Sequence, residues 1–429
     1  MQNILIITYI PSPYQVELFN AIALLDNFKL QVAYLKSNCD APIAKHWQQH
    51  DIQHDYVILD ECEKKFQQLE QDAIDSDLVV FNYYRHSRLS QLMDRCLELN
   101  KPWCFWGERP GFKHAGLFGW LYRRWKLASL HESSAPIWGV GIWGVERYRN
   151  EFGISRNYFD LPYFSDLSRF NTLKHHLNKQ KRVFLYSGAL IERKGVDLLA
   201  SAFCQLVEQF DKIELHFVGE GELRPSLERK LAKYQPKVKF YGFQPWEKLP
   251  LYYQQADILC VPSRYDGWGM VVPEGMAAGL PVISTNSTGA ALELICNRHN
   301  GWLIDINSEA SLYEAMHRAI ELSPAELASY SQAASDRAAN HSLAHGVRQF
   351  KRVASETIEL FSTTASQSQA IGRKLMAGRA MRQCLTKAEP SSRAGHLPQS
   401  FLRKPRRFAS ATTIWSESSC ASQNASHSR

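Results

Sequence analysis

The sequence predicts an α/β protein built from two doubly wound domains, and three observations support this prediction. At 429 residues the chain is longer than a single hydrophobic core usually supports. Hydrophobic residues make up 45% and charged residues 22%, which is the balance of a folded globular protein. Short apolar runs alternate with longer amphipathic stretches, which is the pattern of parallel sheets covered by helices.

Nine apolar runs are typical of buried strands. They are ILIITY, LQVAYL, LVVFNY, WCFWG, IWGVGI, VFLYSG, ELHFVG, DILCVP and PVIST. Between Tyr158 and Lys181 the alternation breaks into an aromatic, proline-containing segment and then a polar one. We therefore predict a first domain over residues 1–166 and a second over residues 167–340.

A closing helix and a tail are predicted beyond the second domain. The helix is expected over residues 341–362, where five apolar residues lie close to helical spacing: Val347, Phe350, Val353, Ile358 and Phe361. Residues 363–429 are rich in Ser and Arg and poor in large apolar residues. Such a composition cannot offset the entropy of ordering, so this segment is predicted to be disordered.

The positive charge of the chain is concentrated in that tail. The net charge is +7, and residues 365–429 hold eleven Lys or Arg against two Glu, which leaves about −2 on the rest. The predicted domains therefore give no sign of nucleic-acid binding.

The cysteines and the apolar runs bear on location. Nine cysteines are scattered without a CxxC pair, which argues against a disulfide framework and a structural zinc site. The opening residues lack the features of a signal peptide, and no run approaches the roughly 20 apolar residues of a membrane helix. We expect a cytoplasmic protein.

The strongest functional signal is YDGWGMVVPEGMAAGLPVIST, which follows the predicted strand DILCVP. Gly267 and Gly269 permit close backbone approach to a ligand, and Glu274 is predicted to open the helix EGMAAG. Ligands of open α/β sheets bind at the carboxyl ends of strands, where helix amides attract phosphate. Carboxylates at Asp266 and Glu274 would suit sugar hydroxyls. The alternative is an acidic turn exposed to solvent.

A second motif is VFLYSGALIERKGVDLLASAF, from Val183 to Phe203. It reads as a strand, a turn at Gly188, the basic pair Arg193 and Lys194, and an amphipathic helix. Taken alone, a basic pair at the start of a helix is more often a solvated surface than a binding site.

The sequence has an acidic residue, Asp266, then seven residues, then Glu274 and GMAAGLPVI. This pattern resembles the donor-site signature of glycosyltransferase family 4, the glycosyl transferases group 1. The resemblance is specific over about residues 180–305 and weak over residues 1–165. It implies a GT-B fold, in which two Rossmann-like domains face a central cleft and the first binds the acceptor, the second the nucleotide-sugar. It also implies a retaining glycosyltransferase.

The resemblance assigns roles to residues of the second domain. Asp266, where the family usually has Glu, would contact the transferred sugar, and Glu274 would bind the ribose. Arg193 and Lys194 would neutralise the donor diphosphate, with Gly188 allowing close approach. The remaining contacts expected with the donor come from the chain at Phe243, Trp268, Gly269 and Met270.

The first domain departs from the family pattern, because PSPYQ stands where many members have a glycine pair. Ser12, Pro13 and Tyr14 are expected to shape the acceptor side.

Glu108 and Arg109 directly follow the strand WCFWG. Glu108 is a candidate catalytic residue in the cleft, and the open alternative is that the two form a surface ion pair. His86 and His114 are weaker candidates for a general base.

The resemblance implies no metal and no cofactor beyond the donor substrate. The expected partners are a nucleotide-sugar and a glycan, lipid-linked or small-molecule acceptor, and no nucleic acid. GLFGWLYRRWKLASLH, from Gly116 to His131, could rest on anionic lipid or bury its aromatic side chains in the first domain. The alternative functions are a GT-B scaffold without activity and a nucleotide-sugar epimerase.

Overall fold

A computed structural model describes residues 1–37, 51–109, 116–171 and 181–365, with side chains as far as residue 362. Residues Met1–Phe361 form one compact unit that contains two parallel β-sheets with helices around them. The predicted α/β fold with two doubly wound sheets is confirmed.

The first sheet is formed by the strands β1 (Gln2–Thr8), β2 (Phe28–Tyr34), β3 (Asp55–Ile58), β4 (Leu78–Phe81), β5 (Trp103–Gly107), β6 (Ile137–Gly139) and β7 (Tyr158–Asp160). Their order is β3-β2-β1-β4-β5-β6-β7, and all pair in parallel. Around it lie the helices α1 (Pro13–Ala23), α2 (Glu63–Asp75), α3 (Ser87–Glu98), α4 (Leu117–Lys126), α5 (Ala128–Glu132) and α6 (Gly141–Phe152), and the short helix α7 (Ser168–Asn171) follows β7.

The continuous apolar run of β1 reflects burial on both faces of this sheet. Ile4 and Ile6 belong to one buried cluster, whereas Leu5 and Ile7 belong to another. Successive side chains of a strand point to opposite faces, so a sheet covered on both sides requires apolar residues at every position.

The second sheet is formed by β8 (Arg182–Ser187), β9 (Ile213–Val218), β10 (Val238–Phe240), β11 (Ile258–Val261), β12 (Val282–Thr285) and β13 (Gly301–Ile304), in the order β10-β9-β8-β11-β12-β13. Its helices are α8 (Val196–Val207), α9 (Arg224–Leu231), α10 (Leu249–Gln255), α11 (Val271–Ala277), α12 (Gly289–Leu294), α13 (Glu309–Glu321) and α14 (Pro324–Ala339). The helix α15 (Leu343–Ala365) follows.

Both sheets have the same topology, and this positions the site. The order of the strands reverses between β1 and β4 in the first sheet and between β8 and β11 in the second. Loops diverge at such a switch point and leave a crevice at the carboxyl ends of the strands, where ligands of open α/β sheets bind.

All nine apolar runs correspond to strands, but four strands were not predicted. These are β3, β7, β10 and β13, each of three or four residues. β7 lies within the stretch where the predicted alternation stops, because three half-buried residues are too few to give a period. The predicted domain limits at residues 166 and 340 stay predictions.

The helix α15 lies where the closing helix is predicted, and two of its residues pack against the first sheet. Phe350 and Val353 are buried. The ring of Phe350 meets those of Phe28 and Trp138 edge-on, with distances between ring centres of 6.4 and 5.7 Å. The indole of Trp138 donates to Thr357 Oγ1 at 3.0 Å. The chain therefore returns to its first domain after completing the second.

Two further predictions concern membrane-spanning helices and the C-terminal tail. Of the residues that the structure describes, no helix is long and apolar enough to cross a membrane. The predicted disordered tail lies outside the described residues from residue 366 onward.

Candidate active site

Asp266 lies in the loop between β11 and α11, and hydrogen bonds fix its main chain. Its N–H donates to the carbonyl of Ser287 at 3.0 Å, and its own carbonyl accepts from Gly289 N at 3.3 Å. Gly269 has φ +90°, and a Cβ there would lie 2.7 Å from the methyl group of Thr288. The loop therefore needs glycine at this position and presents Asp266 in one orientation.

Lys194 forms an ion pair with Asp266, which brings together the two motifs of the second domain. Lys194 ends a short 3₁₀ helix after β8, and Gly195 follows with φ +68°. A Cβ on Gly195 would collide with the carbonyl of Pro262, so the chain after β8 lies directly against the chain after β11. Arg193 donates to the carbonyl of Tyr265 at 2.8 Å.

Glu108 reaches this group from the first domain. Glu108 follows β5, and its side chain is exposed. A Cβ on Gly267 would collide with the carboxylate of Glu108. The surrounding protein and the charge of Asp266 raise the pKa of Glu108 to about 7, although Lys194 and Arg193 act in the opposite direction. The carboxyl group can therefore exist in either protonation state near neutral pH.

Arg109 is buried and does not form a surface ion pair with Glu108. Its side chain is buried and donates to the carbonyl groups of Asp266 and Ser287. Sequence reasoning left this position open because neither partner is near Arg109 in the chain.

The three residues expected on the acceptor side differ in accessibility. Ser12 and Pro13 are buried, and Ser12 Oγ donates to Gln15 Oε1 at 2.7 Å at the start of α1. Tyr14 is half-buried, with its ring 5.1 Å from that of Tyr163. Burial and the charges of Glu108 and Asp266 raise the pKa of Tyr14. Of the three residues, Tyr14 is the one that is partly exposed.

Asn82 is a central residue that sequence reasoning missed. Its Oδ1 accepts from Thr8 Oγ1 at 2.9 Å and from Gln15 Nε2 at 2.8 Å, and its Nδ2 donates to the carbonyl of Trp106 at 2.8 Å. These bonds join the carboxyl ends of β1, β4 and β5 at the switch point of the first sheet. The available signal was an amide directly after the run LVVF.

Glu274 is buried in the first turn of α11. The helix begins at Val271, so the prediction that Glu274 opens it is wrong, because the turn at Gly269 starts the helix earlier. Tyr253 donates to its Oε2 at 3.2 Å. Burial raises the pKa of Glu274 to about 7, against hydrogen bonds from Tyr253 and Trp246 that lower it.

The remaining predicted donor residues differ in exposure. The indole of Trp268 is 1% exposed, with its ring centre 5.5 Å from that of His341, so its side chain is part of the interior. Gly188 has φ +148° in the turn after β8. Phe243 and Met270 are half-buried.

Two further expectations concern the histidines proposed as general bases and the absence of a metal. Nε2 of His86 lies 3.3 Å from Oε2 of Glu61, and its ring stacks on Phe66 with 5.2 Å between ring centres. Neither partner belongs to the group around Asp266. His114 lies outside the described residues. In the described ranges no three His, Cys, Asp or Glu side chains are grouped to hold a metal ion. The absence of a metal from the reaction stays a prediction.

Comparison with known proteins gives a family match over the second domain. Residues 169–337 match the model described as glycosyl transferases group 1. Mannosylfructose-phosphate synthase of Agrobacterium fabrum is 32% identical over 158 residues, covering 34% of this chain and 35% of that protein. A GDP-mannose-dependent alpha-(1-6)-phosphatidylinositol monomannoside mannosyltransferase of Mycobacterium tuberculosis is 30% identical over 208 residues, covering 44% and 54%. The chain thus spans between a third and about half of the length of these curated relatives.

Solved structures match over both domains at low sequence identity. Anabaena HepE in complex with UDP gives a TM-score of 0.68 at 17% identity, covering 82% of this chain and all of that one. Sucrose-phosphate synthase from Thermosynechococcus elongatus gives 0.64 at 19% identity, covering 85% of this chain and 100% of the other. These matches confirm the GT-B fold. In sequence, the chain is similar to the glycosyl transferases group 1 over residues 169–337, the part that contains Lys194 and Asp266.

Proposed function

We propose that this protein is a retaining glycosyltransferase that moves a sugar from a nucleotide-sugar to an acceptor hydroxyl. The observation that carries the proposal is the Lys194–Asp266 ion pair, with Glu108 of the opposite domain beside it. A cation and two carboxylates at the facing edges of two sheets suit a ligand that combines phosphate with sugar hydroxyls. The family match over residues 169–337 supports the same reading.

The donor half of the cleft would bind through charge and backbone. Arg193 and Lys194 would take the diphosphate, so Lys194 would exchange part of its contact with Asp266 for phosphate oxygens. Asp266 would then accept from hydroxyls of the transferred sugar. Glu274 would accept from ribose hydroxyls at the buried first turn of α11.

The proposed transfer takes place on one face of the sugar. The acceptor oxygen bonds to the anomeric carbon on the side from which the diphosphate leaves, as the bond between that carbon and the phosphate oxygen breaks. The acceptor proton passes to an oxygen of the leaving phosphate. The products are a glycoside with retained configuration and a nucleoside diphosphate, whose growing charge Arg193 and Lys194 stabilise.

Glu108 would orient the acceptor hydroxyl. Its carboxylate lies across the cleft from Lys194 and against Gly267, on the acceptor side of the proposed transfer. When ionised it would accept a hydrogen bond from that hydroxyl and hold the oxygen toward the anomeric carbon.

The direct test is to incubate the purified chain with a panel of nucleotide-sugars. HepE has been solved with UDP-glucose and the mycobacterial relative is named for GDP-mannose, so these two donors come first. Release of nucleoside diphosphate, with a retained anomeric configuration in the product by NMR, is the expected result. Interconversion of the sugars would make the protein an epimerase, and binding without release would make it a scaffold; either overturns the proposal.

The acceptor is proposed to be lipid-linked, with α4 resting on an anionic membrane. α4 does not bury its aromatic side chains, because five large apolar residues of this helix are exposed: Leu117, Phe118, Trp120, Leu121 and Trp125. Lys126 and Arg124 lie over the rings of Trp125 and Trp120 at 4.4 and 5.9 Å. Exposed aromatic rings beside cations suit a lipid headgroup region.

Arg123 does not take part in this surface, although Arg124 and Lys126 beside it in the chain do. Its side chain is buried and donates to Glu151 at 3.0 Å, which fastens α4 to α6. Replacing Arg123 would therefore disturb the fold rather than lipid binding.

Vesicle flotation tests the membrane contact with a matched pair of variants. Phe118 on α4 and Ile154 after α6 are both 87% exposed. Phe118→Ser should weaken binding to phosphatidylglycerol vesicles severalfold, and Ile154→Ser should leave it unchanged. Equal binding of both variants to these vesicles would remove α4 as the membrane contact.

A further inference from the structure

Arg109 is a buried arginine of the first domain that lies between aromatic rings of both domains. Its guanidinium carbon is 3.5 Å from the ring centre of Trp143, at the start of α6, and 4.2 Å from that of Tyr265, in the loop after β11. The residue is 8% exposed. Trp143 thus supplies one face of the stack from the same domain, and Tyr265 supplies the other across the cleft.

The hydrogen bonds of Arg109 cross between the domains in both directions. Its NH2 group donates to the carbonyl of Asp266 at 3.3 Å and to the carbonyl and hydroxyl of Ser287. In return the hydroxyl of Tyr265 donates to the carbonyl of Arg109 at 2.6 Å. The Ser287 carbonyl is also the acceptor for Asp266 N. Arg109 therefore contacts the peptide groups that fix the orientation of Asp266.

A second contact between the domains lies next to this one. The first-turn N–H of Ile142 in α6 donates to Glu293 Oε1 of α12 at 2.6 Å. Ile142 adjoins Trp143, and Glu293 belongs to the helix that starts two residues after Ser287. The contact at Arg109 is thus part of a continuous interface rather than an isolated touch.

The arrangement requires arginine in particular. No carboxylate forms an ion pair with Arg109 in the part of the chain that the structure describes, and burial lowers its pKa to about 10. Two ring faces and carbonyl oxygens offset the burial of the charge, which a planar guanidinium can use and an ammonium group cannot.

We propose that Arg109 is a positioning residue, which holds the loop carrying Asp266 in its binding orientation when the two domains are closed. The domain contact and the donor site would then form together. The consequence for Asp266 rests on the function proposed above, whereas the coupling between Arg109 and the loop does not.

Hydrogen exchange of the full ligand-free chain, followed by mass spectrometry, tests this coupling. Arg109→Lys keeps the charge but loses the planar stack and the fork of donors. We expect the peptides over residues 263–270 and 286–290 to exchange about tenfold faster in this variant. Tyr265→Phe keeps the ring and loses only the bond to the carbonyl of Arg109, so a smaller increase is expected over the same residues.

Arg156 provides a matched control. It also donates to carbonyl groups, those of Leu130, Ala135 and Ser133, and lies over the ring of Phe152 at 5.5 Å, but all these partners are in the first domain. Arg156→Lys should speed exchange near residues 130–135 and leave residues 263–270 unchanged.

The outcomes separate the proposal from its alternatives. Faster exchange over residues 263–270 in either interdomain variant, with no change there in Arg156→Lys, supports it. Unchanged exchange in both interdomain variants, or an equal increase in Arg156→Lys, overturns it.

Kinetics then extend the test to the proposed function. With a donor found in the panel, Arg109→Lys should lower turnover by more than it raises the donor KM, because a misplaced Asp266 affects the transition state most. A panel that identifies no donor would count against the proposed function and leave the exchange result standing.

Discussion

The carboxyl edges of the two sheets share a topology but differ in chemistry. In the second domain the switch point holds charged side chains, with Arg193, Lys194 and Asp266 around glycine turns. In the first it holds the neutral network of Asn82 with Thr8 and its neighbours. One fold therefore presents an ionic edge and an uncharged one across the same cleft.

This difference matches the two halves of the proposed reaction. A diphosphate brings charge that grows as it leaves, so cations at the second edge stabilise the transition state. An acceptor hydroxyl carries no charge. A rigid uncharged edge can therefore position the acceptor without attracting the diphosphate. Glu108 and Arg109 are the charged exceptions on the first side, and both contact the loop after β11 in the second domain.

The largest effect is expected at the ionic edge. Lys194→Ala should lower turnover about a hundredfold, on the order of 3 kcal/mol, because it removes a cation beside the developing phosphate charge. Steady-state kinetics with the identified donor measure this. The matched control is Lys233→Ala, which breaks an exposed pair with Glu208 on the surface. Wild-type turnover in folded Lys194→Ala would contradict the difference between the edges.

At the uncharged edge the expected effect is on stability. Asn82→Ala leaves the buried side chains of Thr8 and Gln15 without their shared acceptor, at a cost of about 2 kcal/mol in the free energy of unfolding. Urea denaturation measures the loss. A stability equal to that of the wild type would show that the network is not what orders this edge.

The ionic edge could be predicted from the sequence and the uncharged edge could not, for a physical reason. Each motif of the second domain lies within one loop, so its resemblance to the family pattern pointed to Lys194 and Asp266, although their pairing requires the fold. Asn82 joins three strands through partners far apart in the chain. Its role appears only when the sheet aligns the ends of β1, β4 and β5.

Local sequence could not show how two residues of the first domain are packed. Ser12 was predicted on the acceptor side from its place in the loop; its side chain is buried at the start of α1, and its role stays a prediction. Arg109 follows a strand in the way that Glu108 does, yet its hydrogen-bond partners lie more than 150 residues away in the chain. The two-domain fold, in contrast, was predictable because nine buried strands repeat the same local signal.

Glu274 should separate binding from catalysis within the ionic edge. It is expected to hold a ribose present in both the ground and transition states, so Glu274→Ala should raise the donor KM about tenfold and leave turnover nearly unchanged. The measurement belongs at pH 8, because the pKa of Glu274 is raised to about 7 by burial and the carboxyl is then mostly ionised. A fall in turnover at unchanged KM would move Glu274 from the ribose to the reacting groups.

The smallest effect is a pH dependence at the one carboxylate that crosses from the uncharged edge. The surrounding protein and the charge of Asp266 raise the pKa of Glu108 to about 7. If its ionised form orients the acceptor hydroxyl, turnover should rise about fourfold between pH 6.5 and 8, following the ionised fraction of one group. Glu108→Gln keeps the shape and removes the titration, so its turnover should be lower and flat over this range. Since Glu274 titrates in the same interval, the comparison is made at saturating donor, where a change in donor affinity no longer affects the rate. A fourfold rise that persists in Glu108→Gln would assign the titration to another group and remove Glu108 as the residue that orients the acceptor hydroxyl.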